Sequence, residues 1–85
     1  MPELAFARRF LRDLAEFDGS HSPGDVERLE RALATIADDP GLPGRVPSFY
    51  DPARPSYLYR AGPTLVHYRI VRNRVEFLNL FFSRP

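Results

Sequence analysis

Four side chains in this sequence are best suited to chemistry: Arg60, His67, Arg69 and Arg84. Guanidinium groups bind phosphate oxygens through paired hydrogen bonds, and an imidazole accepts or donates a proton near neutral pH. Attack of a ribose 2′-hydroxyl on a phosphodiester needs a base, an acid and cations around the developing charge. The four residues therefore predict a phosphate-handling site, with His67 as base or acid and the arginines as phosphate clamps.

Tyr59 and Tyr68 stand close to these residues in sequence and could stack on a nucleotide base. Each candidate also has a structural interpretation. Arg69 pairs with Glu76 if the two lie on neighbouring strands, and His67 is then an ordinary hydrogen-bonded residue of a half-exposed sheet. The two tyrosines would belong to the core. The sequence leaves both interpretations open.

Other kinds of site find little support in the residue types. The chain has no cysteine, its two histidines are distant from each other, and its five glycines are scattered. Metal centres need several ligands at defined spacing, and phosphate-binding loops need clustered glycines. The sequence therefore predicts no metal and no cofactor. The serines fall in predicted loops or at the tail, so no Ser/His/Asp arrangement is predicted.

Charge is divided unevenly along the chain. Residues 1–40 carry five arginines against nine acids (net −4), and residues 41–85 carry seven arginines against two acids (net +5). The C-terminal half is thus predicted to build a basic surface that meets phosphates or an acidic protein segment. There is no leader sequence and no apolar run long enough to span a membrane, so we expect a cytoplasmic protein.

Two amphipathic helices are predicted in the first half. Residues 6–18 place apolar side chains at helical spacing, although residues 4–6 alternatively form a very short strand. Residues 23–38 form the better-marked helix, because Ser22 can cap it and Pro23 suits its first position. The short link between them makes a helical hairpin.

The second half changes to a strand pattern. Residues 40–56 hold five of the nine prolines and predict an irregular connector, with one short edge strand near residues 45–49. Residues 57–82 predict an antiparallel meander with turns at Gly62-Pro63 and Asn73-Arg74. We therefore expect a single α+β domain over residues 1–85, with the helical hairpin packed on a three- to four-stranded antiparallel sheet.

Strand alternation sorts the meander into two faces. The face richer in aromatic and branched side chains is predicted to pack on the helices, and the other to be open or to carry a ligand. The first set is Tyr57, Tyr59, Val66, Tyr68, Ile70, Phe77, Asn79 and Phe81. The second set is Leu58, Arg60, Leu65, His67, Arg69, Val71, Glu76, Leu78, Leu80 and Phe82.

The segment from Tyr57 to Arg84, YLYRAGPTLVHYRIVRNRVEFLNLFFSR, resembles the RelE/ParE toxin superfamily. That family has Leu-Arg, a small loop, Tyr-Arg-hydrophobic-hydrophobic-Tyr, a turn, a hydrophobic strand and a basic end. Upstream, FARRFLRDL and VERLERALATIADDP are similar to the family's two helices. The resemblance covers nearly the whole chain and rests on pattern more than on invariant residues.

The resemblance implies the toxin of a bacterial type II toxin–antitoxin system, neutralised by a cognate antitoxin. In the ribonuclease branch it implies a ribosome-dependent endoribonuclease, or mRNA interferase, whose concave sheet face holds mRNA. Arg60 matches the arginine before the small loop, and Arg84 matches the basic residue after the last strand. Tyr68 matches the tyrosine after the hydrophobic pair, or His67 does if the register shifts.

Some basic positions of the family are empty here. Thr64 or Leu65 stands where the middle strand of the family opens with a basic residue, and lysine is absent from the chain. Two alternatives therefore remain: a gyrase-directed, ParE-like toxin without catalytic chemistry, and an inactive binding module with the same fold. The expected partners are an antitoxin and either the ribosome with mRNA or DNA gyrase, and no membrane.

Overall fold

The computed structural model describes residues 2–48 and 52–83, which form two helices and five strands. In chain order the elements are β1 (Glu3–Phe6), α1 (Arg8–Ser20), α2 (Pro23–Asp38), β2 (Val46–Ser48), β3 (Ser56–Ala61), β4 (Thr64–Val71) and β5 (Arg74–Phe82). None of the helices in these residues is both long and apolar enough to cross a membrane. The predicted edge strand near residues 45–49 corresponds to β2, and Phe49 lies outside the described residues.

The two helices form where side-chain spacing and capping favour them. Ser22 accepts a hydrogen bond from the backbone N–H of Asp25 (3.2 Å), and α2 runs over the range that the sequence predicts. Helix α1 begins two residues later than predicted because the chain before it pairs as β1. Phe6, at the end of β1, stacks on Phe77 with ring centroids 5.4 Å apart, which holds this segment on the sheet.

The sheet has the order β1-β5-β4-β3-β2. Strand β1 pairs with β5 in parallel, and the other neighbours are antiparallel. The predicted α+β class, a helical hairpin packed on a sheet, is confirmed, but the sheet has five strands and is mixed. The sequence does not reveal the parallel edge because β1 has four residues, too few for a periodic signal, and its partner lies at the other end of the chain.

The core lies between the helices and one face of the sheet. Phe10, Phe17, Leu29 and Ile36 from the helices are fully buried. From the sheet, the core takes Ala61, Val66, Tyr68, Val75, Phe77 and Leu80. Each fully buried large apolar side chain contributes about 1.5–3 kcal/mol of transfer free energy. The packing of the helices against the sheet is therefore the main source of stability in this small chain.

The turns set the pairing of the last three strands. Gly62 has a φ of 61°, and Arg60 lies opposite Leu65 as predicted. The β4–β5 turn falls one residue earlier than predicted, since Val71 pairs with Arg74 and Arg72 takes a φ of 56°. The β4–β5 pairing is therefore shifted by two residues from the predicted register. Because side chains alternate with a period of two, the residues next to the turn keep their predicted faces.

A β-bulge in β5 then reverses the faces beyond it. Tyr68 pairs with Phe77, but His67 pairs with Asn79, so one extra residue of β5 stands between the two pairs. The predicted faces of the four residues past the bulge are therefore wrong. Leu80 and Phe82 contact the core, whereas Asn79 and Phe81 pair with residues of the opposite face.

Candidate functional site

His67 lies near the middle of β4, on the sheet face turned away from the helices, here called the far face. Its side chain is buried, with 4% exposed, and both ring nitrogens are hydrogen-bonded. Nδ1 lies 2.7 Å from Oδ1 of Asn79, and Nε2 lies 2.8 Å from Oγ of Ser56. Because an amide oxygen only accepts, Nδ1 donates to Asn79, and in the neutral imidazole Nε2 then accepts from the serine hydroxyl.

Ser56, His67 and Asn79 form a polar triplet that joins β3, β4 and β5. Hydroxyl, imidazole and an orienting acceptor stand in the relation found in serine and cysteine hydrolases. Ser56 and Asn79 are 4% and 7% exposed, so the hydroxyl is not presented to solvent as a nucleophile would be. What the geometry provides is a proton acceptor held in one tautomer and one orientation.

Sequence reasoning missed two members of this triplet. Ser56 ends a proline-rich connector and gives no sign that it begins a strand. Asn79 falls on the wrong face without the bulge, which leaves no pattern in the sequence. Once the bulge is known, alternation places Asn79 beside His67.

One group of the triplet has no partner. Nδ2 of Asn79 is buried and donates to no acceptor in the part of the chain that the structure describes. A buried amide N–H without an acceptor lowers the stability of the fold by about 1–3 kcal/mol. A water molecule or a ligand that accepts from Nδ2 would remove this cost.

Arg69 lies opposite Glu76, in the cross-strand pair that the structural interpretation anticipates. Nε and Nη2 of Arg69 donate to Oε1 of Glu76 at 2.9 and 2.6 Å, and Nη2 of Arg74 lies 2.9 Å from Oε2. The hydrogen bond from Arg69 is the main cause that holds the pKa of Glu76 below its ordinary value. Two guanidinium groups share one carboxylate, so the cluster keeps a net charge of +1.

Arg60 is exposed and lies on the other side of His67 along the sheet. Its Nη1 lies 3.4 Å from the carbonyl oxygen of Gly62. Together with Arg28 and Arg31 of α2 it lines a shallow cleft at the β3–β4 turn. Arg60 and Arg69 thus stand two positions from His67 on either side of it along the strands.

The two tyrosines lie on the opposite face from His67. Tyr68 is fully buried, its hydroxyl donates to the carbonyl of Pro40 (2.7 Å), and burial raises its pKa to about 12. A base could stack on this ring only if the core opened. Tyr59 is half-buried and packs against the core. Arg84 lies outside the described residues.

This architecture defines a class: the chain has the fold of the RelE/ParE toxins. No protein-family model matches the sequence, and no curated protein matches it significantly. Solved structures match it over nearly their full length. The DinJ–YafQ complex of E. coli gives a TM-score of 0.75 at 10% identity, covering 96% of this chain and 93% of that one.

Two further solved structures are similar to this chain. A YoeB/ParE toxin from Agrobacterium tumefaciens gives a TM-score of 0.73 at 16% identity, covering 95% of this chain and 98% of that one. The heterotetrameric YoeB–YefM toxin–antitoxin complex from Staphylococcus aureus gives 0.69 at 15% identity, covering 98% of each. At these identities the likeness is one of fold, and at that level the predicted resemblance is confirmed.

Proposed function

We propose that this chain is the toxin of a toxin–antitoxin pair, that a cognate antitoxin neutralises it, and that it inhibits translation by cleaving mRNA. The observation that carries the proposal is the fold, which covers 93% of the matched chain of the DinJ–YafQ complex and 98% of a YoeB/ParE toxin. Two of those matches are the DinJ–YafQ complex and the YoeB–YefM toxin–antitoxin complex. We expect this chain to bind a partner of the same kind.

The charges of the far face support RNA as the target. Arg60 and Arg69 flank His67, and the C-terminal half of the chain carries a net charge of +5. A guanidinium group contributes two parallel donors to a phosphate, and a single-stranded backbone offers a phosphate at every nucleotide. The arginines would bind the backbone and stabilise the charge that develops on the attacked phosphorus.

The polar triplet gives this proposal a base. This step requires RNA binding to uncover Ser56, which is 4% exposed in the free chain. The ribose 2′-hydroxyl would then pass its proton to the oxygen of Ser56 while the serine proton moves to Nε2 of His67. Asn79 would hold the imidazole in the tautomer that leaves Nε2 free of a proton. The 2′-oxygen then attacks phosphorus, and the 5′-oxygen leaves with a proton taken from a donor such as the imidazolium formed in the first step.

A second candidate is a toxin that binds DNA gyrase and performs no chemistry. The burial of the whole triplet favours it, because a histidine with both nitrogens paired and 4% exposure is also what a structural residue looks like. Such a toxin needs a binding surface and no proton acceptor.

Four forms of the chain separate these functions: wild type, His67→Gln, Arg60→Ala and Arg12→Ala. Glutamine keeps hydrogen-bonding capacity at position 67 but cannot exchange a proton near neutral pH. Arg12 is exposed on α1 and serves as the control. We expect mRNA cleavage on ribosomes to fall by about 10²-fold or more in His67→Gln, to fall in Arg60→Ala, and to persist in Arg12→Ala.

Circular dichroism of each form establishes that it is folded. Undiminished cleavage in both His67→Gln and Arg60→Ala would rule out the catalytic proposal. Toxicity without cleavage in all forms, with arrest of DNA supercoiling, would favour the gyrase-directed candidate.

A further inference from the structure

A second charged cleft lies at the end of the sheet where β4 turns into β5. It is lined by Arg54, Arg69, Arg74 and Glu76, together with apolar side chains that include Val71, and its volume is about 400 Å³. We call it the guanidinium cleft. Its three arginines come from the connector, β4 and β5, so segments distant in sequence converge on it.

Glu76 orients two of these arginines and leaves the cleft positive. Oε1 accepts from Nε and Nη2 of Arg69, and Oε2 lies 2.9 Å from Nη2 of Arg74. The side chains of Arg69 and Glu76 are only 19% and 18% exposed, whereas that of Arg74 is 45% exposed. Three guanidinium groups against one carboxylate give a net charge of +2 in a partly desolvated site.

Such a site favours an anion with several acceptor oxygens. A charge interacts more strongly where surrounding protein excludes part of the water, and the planar fork of arginine fits phosphate or carboxylate oxygens. Glu76 already uses Nε and Nη2 of Arg69, so Nη1 is the edge of that group left out of the ion pair. The shared carboxylate fixes the direction in which the guanidinium groups face before any ligand arrives.

The position of the cleft points to one class of anion. Arg69 follows His67 by two residues on the same face of β4, a distance of roughly 7 Å along the strand. A polymer with regularly spaced charges that passes His67 would therefore continue into the cleft. We infer that the guanidinium cleft binds a backbone phosphate of RNA next to the one at His67, an assignment that rests on the proposed function.

The test is the salt dependence of RNA binding. A fluorescent single-stranded RNA carrying 2′-O-methyl groups cannot be cleaved by 2′-hydroxyl attack, so its equilibrium binding can be measured over a salt series. For single strands the slope of log K against log salt changes by about 0.7 for each phosphate contact. The cleft is assigned one phosphate, so we expect Arg54→Ala and Arg74→Ala each to reduce the magnitude of the slope, and the double variant to reduce it by up to about 0.7.

Arg12→Ala is the matched control, because it removes one exposed guanidinium from α1, and its slope should equal that of wild type. Arg54→Glu is a second variant at the same exposed position. It should reduce the magnitude of the salt slope at least as much as Arg54→Ala does. Thermal unfolding of each variant shows whether its fold is retained.

The possible outcomes are separable. If wild type binds RNA but the cleft variants keep its slope, the cleft assignment is overturned and the proposed RNA target stands. If wild type binds no RNA, the cleft assignment is overturned, and the cleavage of mRNA on ribosomes by the forms described above decides the proposed function separately. If a glutamate-rich peptide binds with sensitivity to Arg54 and Arg74 while RNA does not, the cleft serves a protein partner and the phosphate assignment is overturned.

Discussion

At the scale of single residues, the polar triplet is the feature that distinguishes this sheet. All three residues of the triplet are buried. His67 is hydrogen-bonded to Ser56 at 2.8 Å and to Asn79 at 2.7 Å. A buried polar group is tolerated when it is paired and costly when it is not. The triplet therefore joins three strands and fixes the orientation of the His67 ring.

Removing one member leaves another without its partner. Replacing Ser56 by Ala takes away the donor to Nε2 of His67, so we expect the free energy of unfolding to fall by about 1–3 kcal/mol. Urea unfolding measures the loss. Ser83 is exposed, and Ser83→Ala should change stability by no more than about 0.5 kcal/mol. Equal stabilities of the two variants would mean that the Ser56–His67 bond contributes nothing.

The residues of the candidate site differ in how far the sequence foretells them. Strand alternation places Arg69 and Glu76 on one face, but their direct pairing depends on the β4–β5 turn falling one residue earlier than the sequence predicts. The sequence does not predict that Ser56 and Asn79 contact His67. Ser56 ends an irregular connector, and the position of Asn79 depends on the bulge. The sequence also does not predict that Arg54 and Arg74 line one cleft, because this requires the connector to fold back beside the β4–β5 turn.

At the scale of elements, the bulge in β5 decides what each face contains. The sequence alone predicts uniform alternation, which suits the strand up to Phe77 and fails beyond it. The extra residue turns Leu80 into the core and brings Asn79 to His67. Helix α2 was predictable throughout because its cap and its periodicity are local, whereas the bulge and the parallel β1 edge depend on distant partners.

A hydrogen bond ties β4 to the segment after α2. The hydroxyl of Tyr68 donates to the carbonyl of Pro40 from a fully buried ring. We expect Tyr68→Phe to lower the free energy of unfolding at pH 7 by about 0.5–1.5 kcal/mol, because the carbonyl loses its donor. Urea unfolding of the two proteins at pH 7 gives this value directly.

The same residue should make stability depend on alkaline pH. Burial raises the pKa of Tyr68 from 10.0 to about 12, so the folded protein keeps the phenol neutral where the unfolded chain loses its proton. Its contribution is complete below about pH 10 and is lost as pH rises through the folded pKa. Tyr68→Phe should therefore lose less stability than wild type between pH 8 and 11. Parallel curves for the two proteins would contradict this effect.

At the scale of the whole molecule, charge and architecture divide in the same way. Residues 1–40, which supply both helices, carry a net charge of −4, and residues 41–85, which supply four of the five strands, carry +5. The sheet thus offers a basic far face and the helices an acidic back. Such a division lets one small domain meet an anionic target on one side and a different partner on the other.

The fold is retained at identities at which few residues are shared. TM-scores of 0.69 to 0.75 accompany identities of 10% to 16% in the three structures compared above. Apolar spacing, helix caps and turns specify this architecture, and many sequences satisfy them. The chemistry depends on a few side chains, so the shared fold does not decide the mechanism and the far face must be tested for it.

Inducible expression of the chain in a bacterium, without a partner, tests the central claim most directly. Protein synthesis, mRNA integrity and DNA replication are followed together from the time of induction, with Arg12→Ala as a control that should behave as wild type. The proposed function predicts that translation stops first and that cut mRNA accumulates, and that His67→Gln lessens both effects. Normal growth, or a DNA-damage response with intact mRNA, would contradict it.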